Sequence, residues 1–209
     1  MRTIPTHSSD AATVTSPRDP TVISTHIANV RRVLSEVHVN AVERIVDLIR
    51  AARDRGSFIY VAGNGGSAAT ATHWVNDLGK ATKRSGRAPL KVMCLSDNIS
   101  WFSALSNDEG YERAFSGQLE NFATTGDVLI CISASGNSPN LVRTVELARE
   151  RKVITAALLG FDGGVLKGLV DEAVCVLTEK GSYELVEDIH LVICHAVTRC
   201  LIADRRDPI

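Results

Sequence analysis

A chain of 209 residues with 44% hydrophobic and 22% charged residues has an ordinary globular composition and the length for one sizeable domain. A formal net charge of −1 argues against a dedicated nucleic-acid binder, which carries a basic excess. No apolar run approaches the roughly 20 residues that span a bilayer, so no membrane partner is expected.

Residues 1–20, "MRTIPTHSSDAATVTSPRDP", have no apolar core of a secretory signal; their Thr, Ser and Pro content reads as a disordered tail. A cytoplasmic location is the expectation. Residues 21–55 have apolar positions at helical spacing, with a break near His38–Asn40. Such a stripe outside a sheet needs a partner surface, and another subunit is the expected one. His38 reads as a surface residue.

Residues 56–204 then alternate apolar, β-branched runs with helical stretches. The runs are 57–63, 90–96, 127–133, 153–160 and 172–178. They are nearly continuous, as in parallel strands covered on both faces. This pattern predicts a three-layer, doubly wound α/β fold around a five-stranded parallel sheet, with an N-terminal helical extension. In the helix over 138–152, Leu141, Val145 and Ala148 share one face. In the last helix, about 182–204, Val186, Ile189, Ile193 and Val197 do so. The five cysteines form no C-x-x-C pair and read as buried, reduced thiols.

The first strand ends in "VAGNGGSAATATHWVNDL" (61–78), a glycine turn opening a helix. Gly63, Gly65 and Gly66 allow a sharp turn and bring amide groups to an anion at the helix start. The stretch is neither G-x-G-x-x-G nor a Walker A loop, so no nucleotide cofactor is expected. A plain structural turn stays open on this stretch alone. The third strand, however, ends in "ISASGNSPN" (132–140), where Ser133, Ser135 and Ser138 flank Gly136 at another helix start. Two Gly/Ser loops at the carboxyl edge of one sheet favour a small phosphorylated ligand over a dinucleotide.

The chain here resembles the sugar isomerase (SIS) domain family, and within it the phosphoheptose isomerases. The likeness covers about residues 30–204. It rests on "GNGGSAATATHWVNDL", "SDNISWFSALSNDEGYERAFSGQL", "GDVLICISASGNSPNLVRTVELA", "GFDGGVLKGLVD" and "VEDIHLVICHAV". The resemblance implies a homotetramer built through the N-terminal helices, with active sites at subunit junctions. It places Ser67, Ser133, Ser135 and Ser138 at the phosphate-binding positions. Ala134 stands where members often have threonine.

The resemblance also implies aldose–ketose isomerisation, which moves a proton between adjacent carbons through a cis-enediol. That reaction needs a carbon base and an acid/base for the oxygens. His73 and Asp77 lie at i and i+4 on one helix; Glu187 and His195, eight apart, lie near one face of another. By resemblance Asp77 holds the place of the catalytic glutamate, one methylene longer, and His195 that of the catalytic histidine. His73 matches a further pocket histidine, and Glu187 stands where glutamine is usual. His73, Asp77, Glu187 and His195 are also suitable ligands for zinc, which some members bind there. Asn64, Gly65 and Asp97 are further substrate-binding candidates; Asp97 reads equally as a helix cap, and Asn107 could contact a sugar hydroxyl. His190 reads as a surface or capped residue, Trp74 and Trp101 as packing, and Lys80 has no assigned role.

The expected reaction is conversion of sedoheptulose 7-phosphate to D-glycero-D-manno-heptose 7-phosphate. Alternatives are an isomerase of an octulose 8-phosphate, or a non-catalytic SIS protein: a sugar-phosphate sensor, or a tetrameric scaffold binding a replication initiator.

Overall fold

The computed structural model describes residues 20–204, so the expected tail over 1–20 lies almost entirely outside the described residues. Helices α1 (Pro20–Ser35) and α2 (Val39–Arg55) come first, broken within one residue or two of the expected place. The strands are β1 (Phe58–Gly63), β2 (Lys91–Cys94), β3 (Val128–Ser133), β4 (Ile154–Phe161) and β5 (Glu172–Leu177). All pair in parallel, in the order β2-β1-β3-β4-β5. Between them run α3 (Gly65–Lys80), α4 (Ile99–Asp108), α5 (Arg113–Leu119), α6 (Pro139–Glu150) and the short α7 (Leu166–Leu169). Helix α8 (Tyr183–Ala203) closes the described chain.

The strand pleat divides the core. Ile59, Val61, Val128, Ile130 and Ile132 face a layer that includes Ile45 and Ile49 of α2, Trp74 and Leu78 of α3, and Ile189 and Ile193 of α8. Their neighbours Tyr60, Ala62, Leu129 and Cys131 face Phe115 and Leu119 of α5 and Leu141, Val145 and Ala148 of α6. Successive strand residues point to opposite faces, so both faces are covered and the runs are apolar throughout. Helix α4 is the one that Asp97 was expected to cap, whereas α5 was not singled out in the sequence.

His190, expected at the surface or capped, is fully buried. It falls four residues after Val186 and three before Ile193, on the inward stripe of α8. Neither ring nitrogen makes a hydrogen bond of normal geometry, the Leu159 backbone offering only a weak contact. Burial pushes its pKa down to about 4, with the Leu159 backbone opposing only in part. The cysteines also divide: Cys94, Cys131 and Cys194 are buried, Cys175 is half-buried and Cys200 is exposed. Cys200 lies near the end of α8, beyond the covered stripe, and Arg50 reaches its sulfur.

Candidate active site

Strand order decides where a ligand can bind. β1 and β3 are neighbours, and from them the chain winds in opposite directions, to β2 on one side and to β4 and β5 on the other. The crevice beyond the carboxyl ends of that pair is the switch point of this topology. The β1–α3 and β3–α6 loops open into it.

A cavity of about 170 Å³ there is lined by Asn64 and Ser67 from the first loop, and by Ile132, Ser133, Ala134, Ser135 and Ser138 from the second; Tyr183 and Glu187 of α8 complete it. All four predicted serines therefore meet. The Ser133 hydroxyl accepts the Gly136 amide at 3.0 Å, and that of Ser135 accepts the Asn137 amide at 3.3 Å. A hydroxyl that accepts in this way keeps its own proton to donate to a phosphate oxygen. Ser138 is the N-cap residue of α6 and Asn64 that of α3, and neither side chain caps its helix. Both helix starts are thus open to an anion.

The loop is held from below. The Leu166 amide donates to the Gly136 carbonyl, and the Val165 amide to Asn137 Oδ1. Gly136 has φ +63°, and a Cβ there would collide with the Gly163 carbonyl, so only glycine fits. Asn64 and Asn140 exchange amide hydrogen bonds at 3.0 and 2.9 Å, and the Tyr111 hydroxyl donates to Asn64 at 2.7 Å. Asn140, Asn137, Tyr111 and Tyr183 escaped the sequence reading. Asn140 and Asn137 stand inside the quoted "SGNSPN" stretch, but nothing in the sequence pairs Asn140 with Asn64.

The second part of the site lies farther along α3 and α8. His73 Nε2 and His195 Nε2 are 3.2 Å apart. Asp77 Oδ2 is 3.6 Å from each of them. The three ligand-type atoms lie within 4.8 Å of one another, an arrangement that suits one divalent cation. Glu187, expected in the same ligand set, is not in that group. Its carboxylate rests against Gly66 in the first turn of α3, where any side chain at Gly66 would displace it. It sits two helical turns before His195, too far to converge on the same point. Burial raises the Glu187 carboxyl pKa, with Glu184 and Asp188 adding to it.

Asp97 is outside the cavity lining: its carboxylate accepts from the Thr72 hydroxyl of α3, and Asn98 rather than Asp97 caps α4. Gly65 begins α3 in the left-handed region at φ +53°. Asn107 donates to its neighbour Asp108 and does not line the cavity. Trp74 is core, and Trp101 packs edge-on to Phe122.

The SIS domain family matches residues 25–160. The chain belongs to that family. It is 38% identical over 165 residues to the phosphoheptose isomerase of Citrifermentans bemidjiense, covering 79% of this chain and 83% of that one. It is 41% identical to the phosphoheptose isomerase of Pelobacter propionicus over 68% of this chain and 74% of the other. The solved phosphoheptose isomerase of Neisseria gonorrhoeae superposes with a TM-score of 0.79 at 28% identity, over 88% of this chain and 98% of that one. The fold expectation is met, and with relatives of this coverage the SIS chain is an isomerase.

Proposed function

We propose that this SIS protein converts sedoheptulose 7-phosphate to D-glycero-D-manno-heptose 7-phosphate through a cis-enediol. The observation that carries the reading is the meeting of Asp77 and His195, 3.6 Å apart, along the same two helices whose starts frame the serine cavity. His73 lies six residues beyond Ser67, about 9 Å at the α-helical rise, and His195 lies eight beyond Glu187, about 12 Å. A phosphate held at the serines therefore puts the reacting carbons several bonds away, which suits a long sugar phosphate.

Ser67, Ser133, Ser135 and Ser138 bind the phosphate with the starts of α3 and α6. Asp77 removes a proton from C1 of the ketose while His195 gives one to O2, forming the enediol. His195 then takes the proton from O1 as Asp77 returns one to C2. The proton balance closes within the site, and no water is consumed. His73 sits beside His195 and orients it. His73, Asp77 and His195 would fit a zinc ion in place of acting as free acid and base, and zinc held there would supply polarisation of the sugar oxygens.

The side chains of His73 and His195 are each 48% exposed in the single chain, unusually open for an acid/base site. Helix α1 leaves Val22 and Ile23 exposed as well. Both features support a homotetramer in which a neighbouring subunit covers the site.

The test is proton exchange. Wild-type protein incubated with sedoheptulose 7-phosphate in deuterated water is expected to incorporate deuterium at the reacting carbon. Absence of exchange with added zinc and without it would favour a non-catalytic sensor or scaffold.

A further inference from the structure

Two helix starts face the serine cavity, and each has a good capping residue that does not cap. Asn64 and Ser138 hold the N-cap positions of α3 and α6 in extended backbone, yet neither side chain accepts an amide of its helix. Asparagine and serine there ordinarily accept from the second or third helical amide. Those amides belong to Gly66 and Ser67 in α3, and to Asn140 and Leu141 in α6.

Asn140, fully buried behind the cavity, accounts for both vacant caps. Its Oδ1 accepts the Leu141 amide at 2.9 Å, an amide that Ser138 would otherwise take. The same oxygen accepts from Asn64 Nδ2 at 3.0 Å, and Asn140 Nδ2 donates to Asn64 Oδ1 at 2.9 Å. The Tyr111 hydroxyl donates to that Asn64 oxygen as well, at 2.7 Å. The one atom with which Asn64 could cap α3 is therefore held by two donors from elsewhere. The first helical bond of α3 runs from the Ala68 amide to the Asn64 carbonyl. Among the described residues, the amides of Gly65, Gly66 and Ser67 ahead of it have no hydrogen-bond partner. Asn64, Ser67 and Ser138 all line the cavity.

We propose that Asn140 is a positioning residue that holds both helix starts uncapped, with Tyr111 clamping Asn64, so that the helix-start amides and the Ser138 hydroxyl stay free for a phosphate. It rests on the reading of the serine cavity as a phosphate site. A capping side chain folded over its helix would compete with the anion for the same donors. Asn140 acts through Asn64 and Ser138 rather than on the ligand itself.

The experiment uses full-length protein and two readouts that need no turnover: calorimetric titration with inorganic phosphate, and the thermal unfolding midpoint. Asn140→Ala frees Asn64 and the Leu141 amide, both caps close, and phosphate affinity falls by about tenfold or more. Tyr111→Phe loosens Asn64 alone and lowers affinity by about threefold. Capping has a readout of its own. In otherwise wild-type protein Ser138→Ala moves the midpoint by less than about 1 °C, because the hydroxyl caps nothing. In the Asn140→Ala background, where it caps α6, the same change lowers the midpoint by about 2–4 °C. The proposal is overturned if Asn140→Ala keeps wild-type phosphate affinity, or if Ser138→Ala has the same effect in both backgrounds. If Asn140→Ala does not fold, Tyr111→Phe decides, and unchanged phosphate affinity there overturns it. Wild type that binds no phosphate would remove the phosphate-site reading instead, and the two Ser138→Ala comparisons would still decide the capping.

Discussion

His73 and His195 bring their Nε2 atoms to 3.2 Å although 122 residues separate them in the chain. At that spacing one ring must present a proton and the other a lone pair, or both must turn lone pairs to a shared cation. Asp77, equidistant from both at 3.6 Å, is the only acid of the described metal-type cluster. One helix supplies an acid and an imidazole, the other an imidazole, and α3–α8 packing sets their geometry.

Asp77→Asn keeps the shape and removes the proposed base. Deuterium exchange into the sugar is expected to fall by 10² to 10⁴, the usual worth of a positioned acid/base group. Asp77→Glu, which restores the carboxylate one methylene farther out, should keep at least a tenth of wild-type exchange. Equal losses in the two variants would remove Asp77 from the chemistry.

Ser135→Ala takes away a hydroxyl that lines the cavity and whose proton is unclaimed by the loop. KM for the sugar phosphate is expected to rise tenfold or more, about 1.4 kcal/mol, with kcat changed much less. A fall confined to kcat would mean that Ser135 does not hold the phosphate.

Glu187 puts a carboxylate in the cavity proposed to take the phosphate dianion. Glu187→Gln keeps size and removes charge, so inorganic phosphate should inhibit the variant at several-fold lower concentration than wild type. Weaker inhibition would show instead that Glu187 acts as an acceptor for ligand hydroxyls.

His190 makes stability depend on pH. Its folded pKa is about 4, below the ordinary 6.5, so the unfolded chain binds the proton more readily. Stability from this group is fully present above about pH 6.5 and drains away as pH falls towards 4, by roughly 3 kcal/mol in all. Urea unfolding at pH 7 and pH 5 checks this: His190→Leu should lose less between the two than wild type does, and equal losses would exonerate His190.

Among the described residues no helix is long and apolar enough to cross a membrane, as the apolar run lengths indicated. Strands, most helices and the two Gly/Ser loops were legible because they depend on local chemistry. Continuous apolar runs announce covered parallel strands, and Gly/Ser turns after them announce helix starts with free amides. His190 was misread because residue type was weighed above position: its spacing from Val186 and Ile193 already put it beside the apolar stripe. α8 is covered on a stripe wide enough to take it in, and only packing reveals that width.

Composition, spacing and motif order determined the doubly wound class and two Gly/Ser loops at strand ends, and put His73 with Asp77 and Glu187 with His195 on shared helix faces. The resemblance to the SIS family added Ser67 and made Asp77, His73 and His195 the site candidates. Strand order and helix packing decided the rest: that β1 and β3 are neighbours, so that the two loops share one crevice, and that Glu187 turns to Gly66 while His195 turns to His73. Neighbours along a chain are set by covalent geometry, but contacts across 70 to 120 residues depend on which surfaces bury one another, and that is a property of the whole fold.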